Sequence, residues 1–482
     1  MADLETTLDA RLAALSDADL ARGLDIFRTK LGAAGAASLQ TCVHCGLCAG
    51  SCHYYLTDHE PASMPAHKLE QIAAGFRGRF TLAGRLAPAL VGARPFDRAL
   101  ARTWIEAAFG RCSTCGRCSL NCTTGVNVAA VVRAARATLT ELGLIPADLQ
   151  QVVTTALETG NNMGITREDW LDTVQWIEEE TQGAVNDPAA RIPVDRQGAN
   201  ILFTVNPREP KFFPLGLQAS ATVFHAAGED WTVASEGWDL TNYGLFSGNN
   251  AEGGAIAVNL LDSMERLGCR TLVIGECGHG FAAARWESAE WLRRRPSFRI
   301  ISFLELMEEY FQQGRLKVDP TRLKERVTLH DPCNTVRQGG ISEPQRSILR
   351  RCVSDFVEMT PHGAENFCCG GGGGQLAMAE YRQKRLQAGG VKAEQMRVVN
   401  ADVVEWLREP SQTPFDLAFV DPPFAVGLQD ALLARLIARM SARSWLYLEQ
   451  SASAVLPPLP GWVLHREGAT RDVRYTLLKR QL

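Results

Sequence analysis

Residues 41–53 read TCVHCGLCAGSCH, and residues 111–125 read RCSTCGRCSLNCTTG. Each stretch carries the spacing C-x2-C-x2-C-x3-C, with Cys42, Cys45, Cys48 and Cys52 in the first and Cys112, Cys115, Cys118 and Cys122 in the second. Thiolates three residues apart, with a glycine near the middle, let one short loop wrap a single face of an iron–sulfur cube. The fourth cysteine, one position further along than the repeat, points elsewhere. Zinc is the alternative, but four-cysteine zinc sites are usually built from two separated C-x2-C pairs. A triplet in one loop suits a tetrahedron poorly, so the spacing favours iron and sulfur.

Where such loops occur twice, as in two-cluster ferredoxins, the fourth cysteine of each ligates the other cluster. By that rule Cys42, Cys45, Cys48 and Cys122 hold one [4Fe–4S] cluster, and Cys112, Cys115, Cys118 and Cys52 hold the second. Two clusters with crossed ligands lie close together and form a wire for one-electron steps. One departure is visible: the last cysteine is usually followed by Pro, and here His53 and Thr123 follow.

The remainder of the chain sets the context. Its 482 residues call for about three domains. A net charge of −4 gives no global pull toward nucleic acid. No apolar run approaches the roughly 18 residues that span a bilayer. The first 24 residues, MADLETTLDARLAALSDADLARGL, are acidic and helix-like, unlike a signal peptide. A cytoplasmic, reducing location is expected, and with it no disulfide framework for the 14 cysteines. Cys269 and Cys352 are expected to be packing residues.

Residues 1–35 and the stretch between the cysteine motifs have helical periodicity. After the polar helix at 164–183 and a linker, the texture changes. ILFTVNP (201–207), TLVIGEC (271–277), RIISF (299–303) and VTLHDPC (327–333) read as short strands with helices between them. That alternation predicts a parallel α/β sheet.

In such a sheet the C-terminal strand ends converge on one crevice. Cys277 in GECGHG, Cys333 in HDPCN, and Cys368 and Cys369 in NFCCGGGGG can therefore meet. Gly370, Gly371 and Gly372 let backbone approach a bulky inorganic group and offer amide N–H donors to it. A phosphate loop is the alternative for the glycines, but no Gly-Lys-Ser/Thr follows. A vicinal disulfide is the alternative for the paired cysteines. His279 and His330 are either donors to this site or structural histidines.

HDPCN and CCGGGG resemble the cysteine-rich "CCG" domain of heterodisulfide reductase, and residues 1–396 resemble the iron–sulfur subunits of membrane-linked redox complexes in sulfur metabolism. The resemblance implies a third [4Fe–4S] cluster, non-cubane in some members, on Cys277, Cys333, Cys368 and Cys369. It also implies cleavage or formation of a disulfide in two one-electron steps. The implied partners are a membrane cytochrome b-type subunit and a small thiol/disulfide or a disulfide-carrying protein. Through the former the chain would sit peripherally on the inner face of the cytoplasmic membrane. The family's domain usually ends in a C-x2-C pair, and no cysteine follows Cys369 here.

From about residue 397 the chain resembles the second half of the small-subunit rRNA guanine-N2 methyltransferases. Asp421, Pro422, Pro423 and Phe424 match the D-P-P-[FY] motif. There the Asp and prolyl backbone accept from the exocyclic amine, and the aromatic ring stacks on the extruded base. The glycine loop and ribose-binding acid of the front half have no counterpart, so neither AdoMet nor RNA is expected as a ligand.

The expected fold is multi-domain. A mostly α-helical two-cluster ferredoxin-type domain (1–160) leads through a helix and linker (161–197) to the α/β cysteine-rich domain (198–396). The α/β methyltransferase-like fragment (397–482) closes the chain.

Overall fold

The computed structural model describes residues 6–389, 402–408, 414–421, 429–456, 458–469 and 473–481. The chain divides into two compact units, Met1–Ala393 and Glu394–Leu482.

The first unit begins with helices. Ser16 caps the helix Asp17–Thr41: its hydroxyl accepts from the Asp19 N–H, and the Asp19 carboxylate accepts from the Ser16 N–H. Leu20, Leu24, Phe27 and Leu31 form the buried face of that helix. They share one core with Val131, Val132, Ala135 and Leu139 of the helix Val128–Glu141. Trp104 closes that core edge-on to Phe27, with ring centroids 4.8 Å apart. Each fully buried leucine contributes about 1.5–3 kcal/mol, so tertiary burial rather than helix propensity holds these segments. The stretch between the cysteine motifs is helical, as expected, with Pro65–Phe80, Leu82–Leu86 and Arg98–Ile105. Among the described residues no strand precedes Ile201.

A parallel sheet follows, built from β1 (Ile201–Thr204), β2 (Trp231–Thr232), β3 (Thr271–Ile274) and β4 (Arg299–Ser302) in the order β2-β1-β3-β4. Every residue of β1 is buried, the mark of a strand covered on both faces. Leu217 and Phe224 of the helix Leu215–Ala227 and Leu260, Leu261 and Met264 of the helix Asn250–Leu267 join its core.

The expected strand at 327–333 does not form. Val327 makes only an isolated bridge to Phe356. The backbone beyond it is committed elsewhere: Asn366 donates to the Asp331 carbonyl, and the Asp331 carboxylate pairs with the buried Arg346 at 2.6 Å. Pro332 supplies no N–H to a ladder. The two-residue β2 was not anticipated, being too short to show a period.

The second unit holds β5 (Phe415–Val420), β6 (Met440–Ser451), β7 (Trp462–Ala469) and β8 (Val473–Arg480) in the order β5-β6-β8-β7. β5 runs parallel to β6, and β8 lies antiparallel to both β6 and β7. β7 and β8 close this unit as an antiparallel hairpin. Val420, Leu433, Leu436, Leu446, Leu448 and Leu478 form its core. Asp421 is exposed at the end of β5. Pro422, Pro423 and Phe424 lie outside the described residues, as does the segment 390–396.

Candidate metal centres and thiol site

The two cysteine loops share one backbone course. Gly46 and Gly116 sit at φ +80° and +76°, and His44 and Thr114 both at +54°. A glycine enters that left-handed region without steric cost, which turns the three leading cysteines of each loop toward one hollow. One cavity is lined by Cys42, Cys45, Cys48 and Cys122, and a second by Cys52, Cys112, Cys115 and Cys118. The second takes three cysteines from its own loop and Cys52 from the other, and the first takes three from its own loop and both Cys118 and Cys122 from the other. Cys118 lines both, so the cavities are neighbours.

The donor set suits iron–sulfur clusters. Burial pushes the Cys48, Cys112 and Cys118 thiols above their usual range. A bound metal ion removes that cost, because a coordinating thiol is deprotonated outright. Amide donors face the sulfurs: Thr114 N–H to Cys112 at 3.4 Å and Val126 N–H to Cys122 at 3.4 Å.

Two buried cations support the second cavity, and neither was anticipated. Lys68 is 2% exposed, donates to the Arg111 carbonyl at 2.5 Å and lies 3.7 Å from Cys52 Sγ. Burial opposes its charge, but Cys52, Cys112 and Cys118 hold its pKa above the usual lysine value. Arg136 is fully buried and donates to four carbonyls, those of Ala108, Phe246, Gly373 and Cys112. A lone basic residue on an otherwise apolar helix face was the available signal for both.

The cysteine-rich segment closes over this second loop. Arg337 donates to the Cys115 carbonyl at 2.8 Å and Gln338 to the Thr114 carbonyl at 2.6 Å. Arg117 stacks on Phe367, 3.8 Å from its ring centroid, and donates to the Glu365 carbonyl. A Cβ added at Gly373 would lie 2.6 Å from Ser113 Cα, so only glycine permits this approach.

The clasp brings Cys368 to the cluster loop. His53, Cys115 and Cys368 place their ligand atoms within 4.8 Å of one another, all buried. Cys368 Sγ lies 4.0 Å from Cys333 Sγ and 3.6 Å from the Ser113 hydroxyl. The Cys115 thiol is raised first by its contact with Cys368 and then by burial. His53 Nε2 is buried without a hydrogen-bond partner among the described residues. It fills the position where the motif usually has Pro, which was the only hint of it in the sequence.

The remaining expected residues divide. Gly370 N–H and Gly371 N–H donate to the sulfurs of Cys368 and Cys369, each at 3.3 Å. Gly372 lies beside the Asn334 amide instead. Cys369 is exposed. Cys277 lies beyond the end of β3, next to Gly278, whose Cβ position would meet Asn334 and Thr335. Its sulfur is 3.0 Å from His279 Nδ1, and burial pushes the thiol up to about 12. His330 bonds the Phe367 carbonyl at 3.0 Å, so it props the CC loop rather than touching sulfur. Cys269 is buried in the core of the parallel sheet and Cys352 is half-buried.

A double cluster-type module joined to a cysteine-rich parallel α/β domain defines an iron–sulfur electron-transfer protein. Residues 38–126 match the 4Fe-4S dicluster domain, residues 327–405 the cysteine-rich domain, and residues 377–479 conserved hypothetical protein 95. The last two matches overlap across 377–405. The chain is similar to an Hdr-like menaquinol oxidoreductase iron–sulfur subunit of Archaeoglobus profundus, at 28% identity over 70% of this chain and 68% of the relative. It is also similar to one subunit of the dihydromethanophenazine:CoB–CoM heterodisulfide reductase of Methanosarcina acetivorans, at 24% identity over 72% of this chain and 83% of the relative. A ribosomal RNA small-subunit methyltransferase of Buchnera aphidicola is 30% identical over 90 residues, 17% of this chain and 43% of that relative's length. A putative methylase structure from Haemophilus influenzae aligns at 28% identity over 22% of this chain and 61% of its own, with a TM-score of 0.20. Residues 1–396 thus resemble heterodisulfide reductase-type iron–sulfur subunits, and the C-terminal region is methyltransferase-like.

Proposed function

We propose that this chain carries electrons between a quinone-linked membrane subunit of the cytochrome b type and a thiol/disulfide substrate. Two [4Fe–4S] clusters are assigned to Cys42, Cys45, Cys48 and Cys122, and to Cys112, Cys115, Cys118 and Cys52. When bound, such clusters supply one-electron transfer. The chain's own part is to exclude water from the second cavity, to hold the ligand loops by Arg136 and Arg337, and to present Cys368 to Cys115. That last contact carries the reading, because it joins a cluster ligand to the candidate redox site formed by Cys277, Cys333, Cys368 and Cys369. Its location is peripheral at the membrane through the partner subunit. Among the described residues no helix is long and apolar enough to cross a membrane.

The test is anaerobic reconstitution with iron counting and EPR. Fewer than about eight irons per chain would sink the two-cluster assignment.

A second reading, an electron relay whose thiol site is silent, is favoured by one observation. Cys277 is engaged by His279, and no cysteine after Cys369 replaces it. Under that reading Cys368→Ser leaves partner-linked electron flow unchanged. A methyltransferase role for residues 397–482 predicts AdoMet binding, and a calorimetric titration without heat excludes it.

A further inference from the structure

The helical insertion between the cysteine motifs carries a surface that electron transfer does not use. Residues 71–96 contain Arg77, Arg79, Arg85 and Arg94 and no Asp or Glu, in a chain whose net charge is −4. From this basic stretch three leucines stand out into solvent. Leu82, Leu86 and Leu90 are 73%, 76% and 88% exposed. Leu82 and Leu86 are four apart on the helix Leu82–Leu86 and share a face, and Leu90 follows in the 3-10 turn Pro88–Val91.

The ridge is a built feature. Thr81 caps it, its hydroxyl accepting from the Gly84 N–H at 3.0 Å. A Cβ at Gly84 would lie 2.0 Å from the Arg77 carbonyl oxygen, so the short helix seats directly on the end of the helix Pro65–Phe80. Arg85 is spent on the Arg79 carbonyl, at 2.8 and 2.6 Å, and Arg94 donates to Gln71. Neither has a carboxylate partner among the described residues. Arg28, Arg79, Arg85 and Arg94 line one open cavity beside the ridge. Asp17 and Asp25 also line it, but Asp17 pairs with Arg98 and Asp25 with Arg79.

Leucines this exposed form a projecting edge rather than a groove; of the arginines beside them Arg77 pairs with Glu70 and Arg79 with Asp25, which leaves Arg85 and Arg94 without a carboxylate partner among the described residues. We propose that Leu82, Leu86 and Leu90 insert among the headgroups of an anionic phospholipid surface while Arg85 and Arg94 meet the phosphates. This is the arrangement of a short interfacial anchor, where apolar burial and charge attraction add. The inference does not rest on the electron-transfer role, and iron content reports that role separately.

The test uses the full-length, cluster-loaded protein in anaerobic flotation with phosphatidylcholine vesicles, with and without phosphatidylglycerol. Binding should require phosphatidylglycerol and weaken with added salt. Replacing all three leucines (Leu82→Glu, Leu86→Glu, Leu90→Glu) should lower vesicle partitioning by at least about tenfold with iron content unchanged. Arg85→Gln with Arg94→Gln, which leaves the apolar edge intact, should also weaken it by about tenfold. No flotation on phosphatidylglycerol vesicles, or equal flotation of the leucine variant, would overturn the proposal. So would retention on membranes that is lost once their integral proteins are removed, which would assign the ridge to a protein partner instead.

Discussion

The loops at 42–52 and 112–122 share a spacing, a left-handed glycine and a positive-φ residue before the second cysteine. Their surroundings differ. In the first loop Val43 and Leu47 are 66% and 60% exposed, and Cys45 is exposed. In the second, Ser113 is buried and the carbonyls of Cys112, Thr114 and Cys115 accept from Arg136, Gln338 and Arg337. One local pattern thus yields an open end and an enclosed end. On the proposed reading, the open end suits exchange with a partner subunit and the enclosed end suits delivery to buried thiols.

The hardest way to break this contrast is to remove its anchor. Arg136→Met strands four buried carbonyl acceptors, one of them at Cys112. Losing a buried charge-assisted network of this kind costs about 3–5 kcal/mol. We expect a large fall in the urea midpoint of the anaerobic holoprotein, with the second cluster lost first. The matching change in the first loop, His44→Ala, removes an exposed pair with Glu70 at 3.3 Å and should cost under about 1 kcal/mol. Similar costs for the two variants would erase the distinction.

Next in size is the thiol contact. Cys115→Ser should remove about four irons, leave the first cluster's EPR signal in place, and uncouple Cys368. An external dye should still reduce the first cluster while disulfide turnover stops. Cys45→Ser, at the open end, should instead remove about four irons and the first cluster's EPR signal, and so block electron entry. If the two variants lose the same step, the assignment of ends is wrong.

The asymmetry explains how much was readable in the sequence. Ligand spacing is a local property, so both loops and the helical character of the insertion could be read directly. The parallel sheet was legible too, because β1, β3 and β4 are short runs rich in Ile, Leu and Val with helices between them. The surroundings were not. Arg136 reaches Gly373 and Arg337 reaches Cys115 across more than two hundred residues, and no period encodes that. Likewise, residues 327–333 have the composition of a strand, but the buried Asp331–Arg346 pair takes that backbone elsewhere. The α/β character of the methyltransferase-like segment was legible, but its strand order β5-β6-β8-β7 was not.

A finer test addresses charge. Lys68 lies 3.7 Å from Cys52 and no buried cation lines the first cavity among the described residues. A fixed positive charge stabilises the reduced, more negative state of a neighbouring cluster. Lys68→Met should therefore lower one midpoint potential in an EPR-monitored redox titration and leave the other in place. Equal shifts of both would mean that the cavities are too closely coupled to be told apart.

The smallest effect concerns the residue that replaces proline after each fourth cysteine. Thr123 is exposed, whereas His53 is buried with its Nε2 unpartnered and its ring within reach of Cys115 and Cys368. Neighbours that donate to ligand sulfur tune a cluster without holding it. His53→Ala should leave iron content unchanged, shift the second cluster's EPR line shape, and slow electron arrival at Cys368. His53→Gln, which restores an N–H donor, should recover most of that rate. Thr123→Ala should change none of these. A His53→Ala protein indistinguishable from Thr123→Ala would reduce the enclosed end to simple burial, with no role for the histidine in linking the two sites.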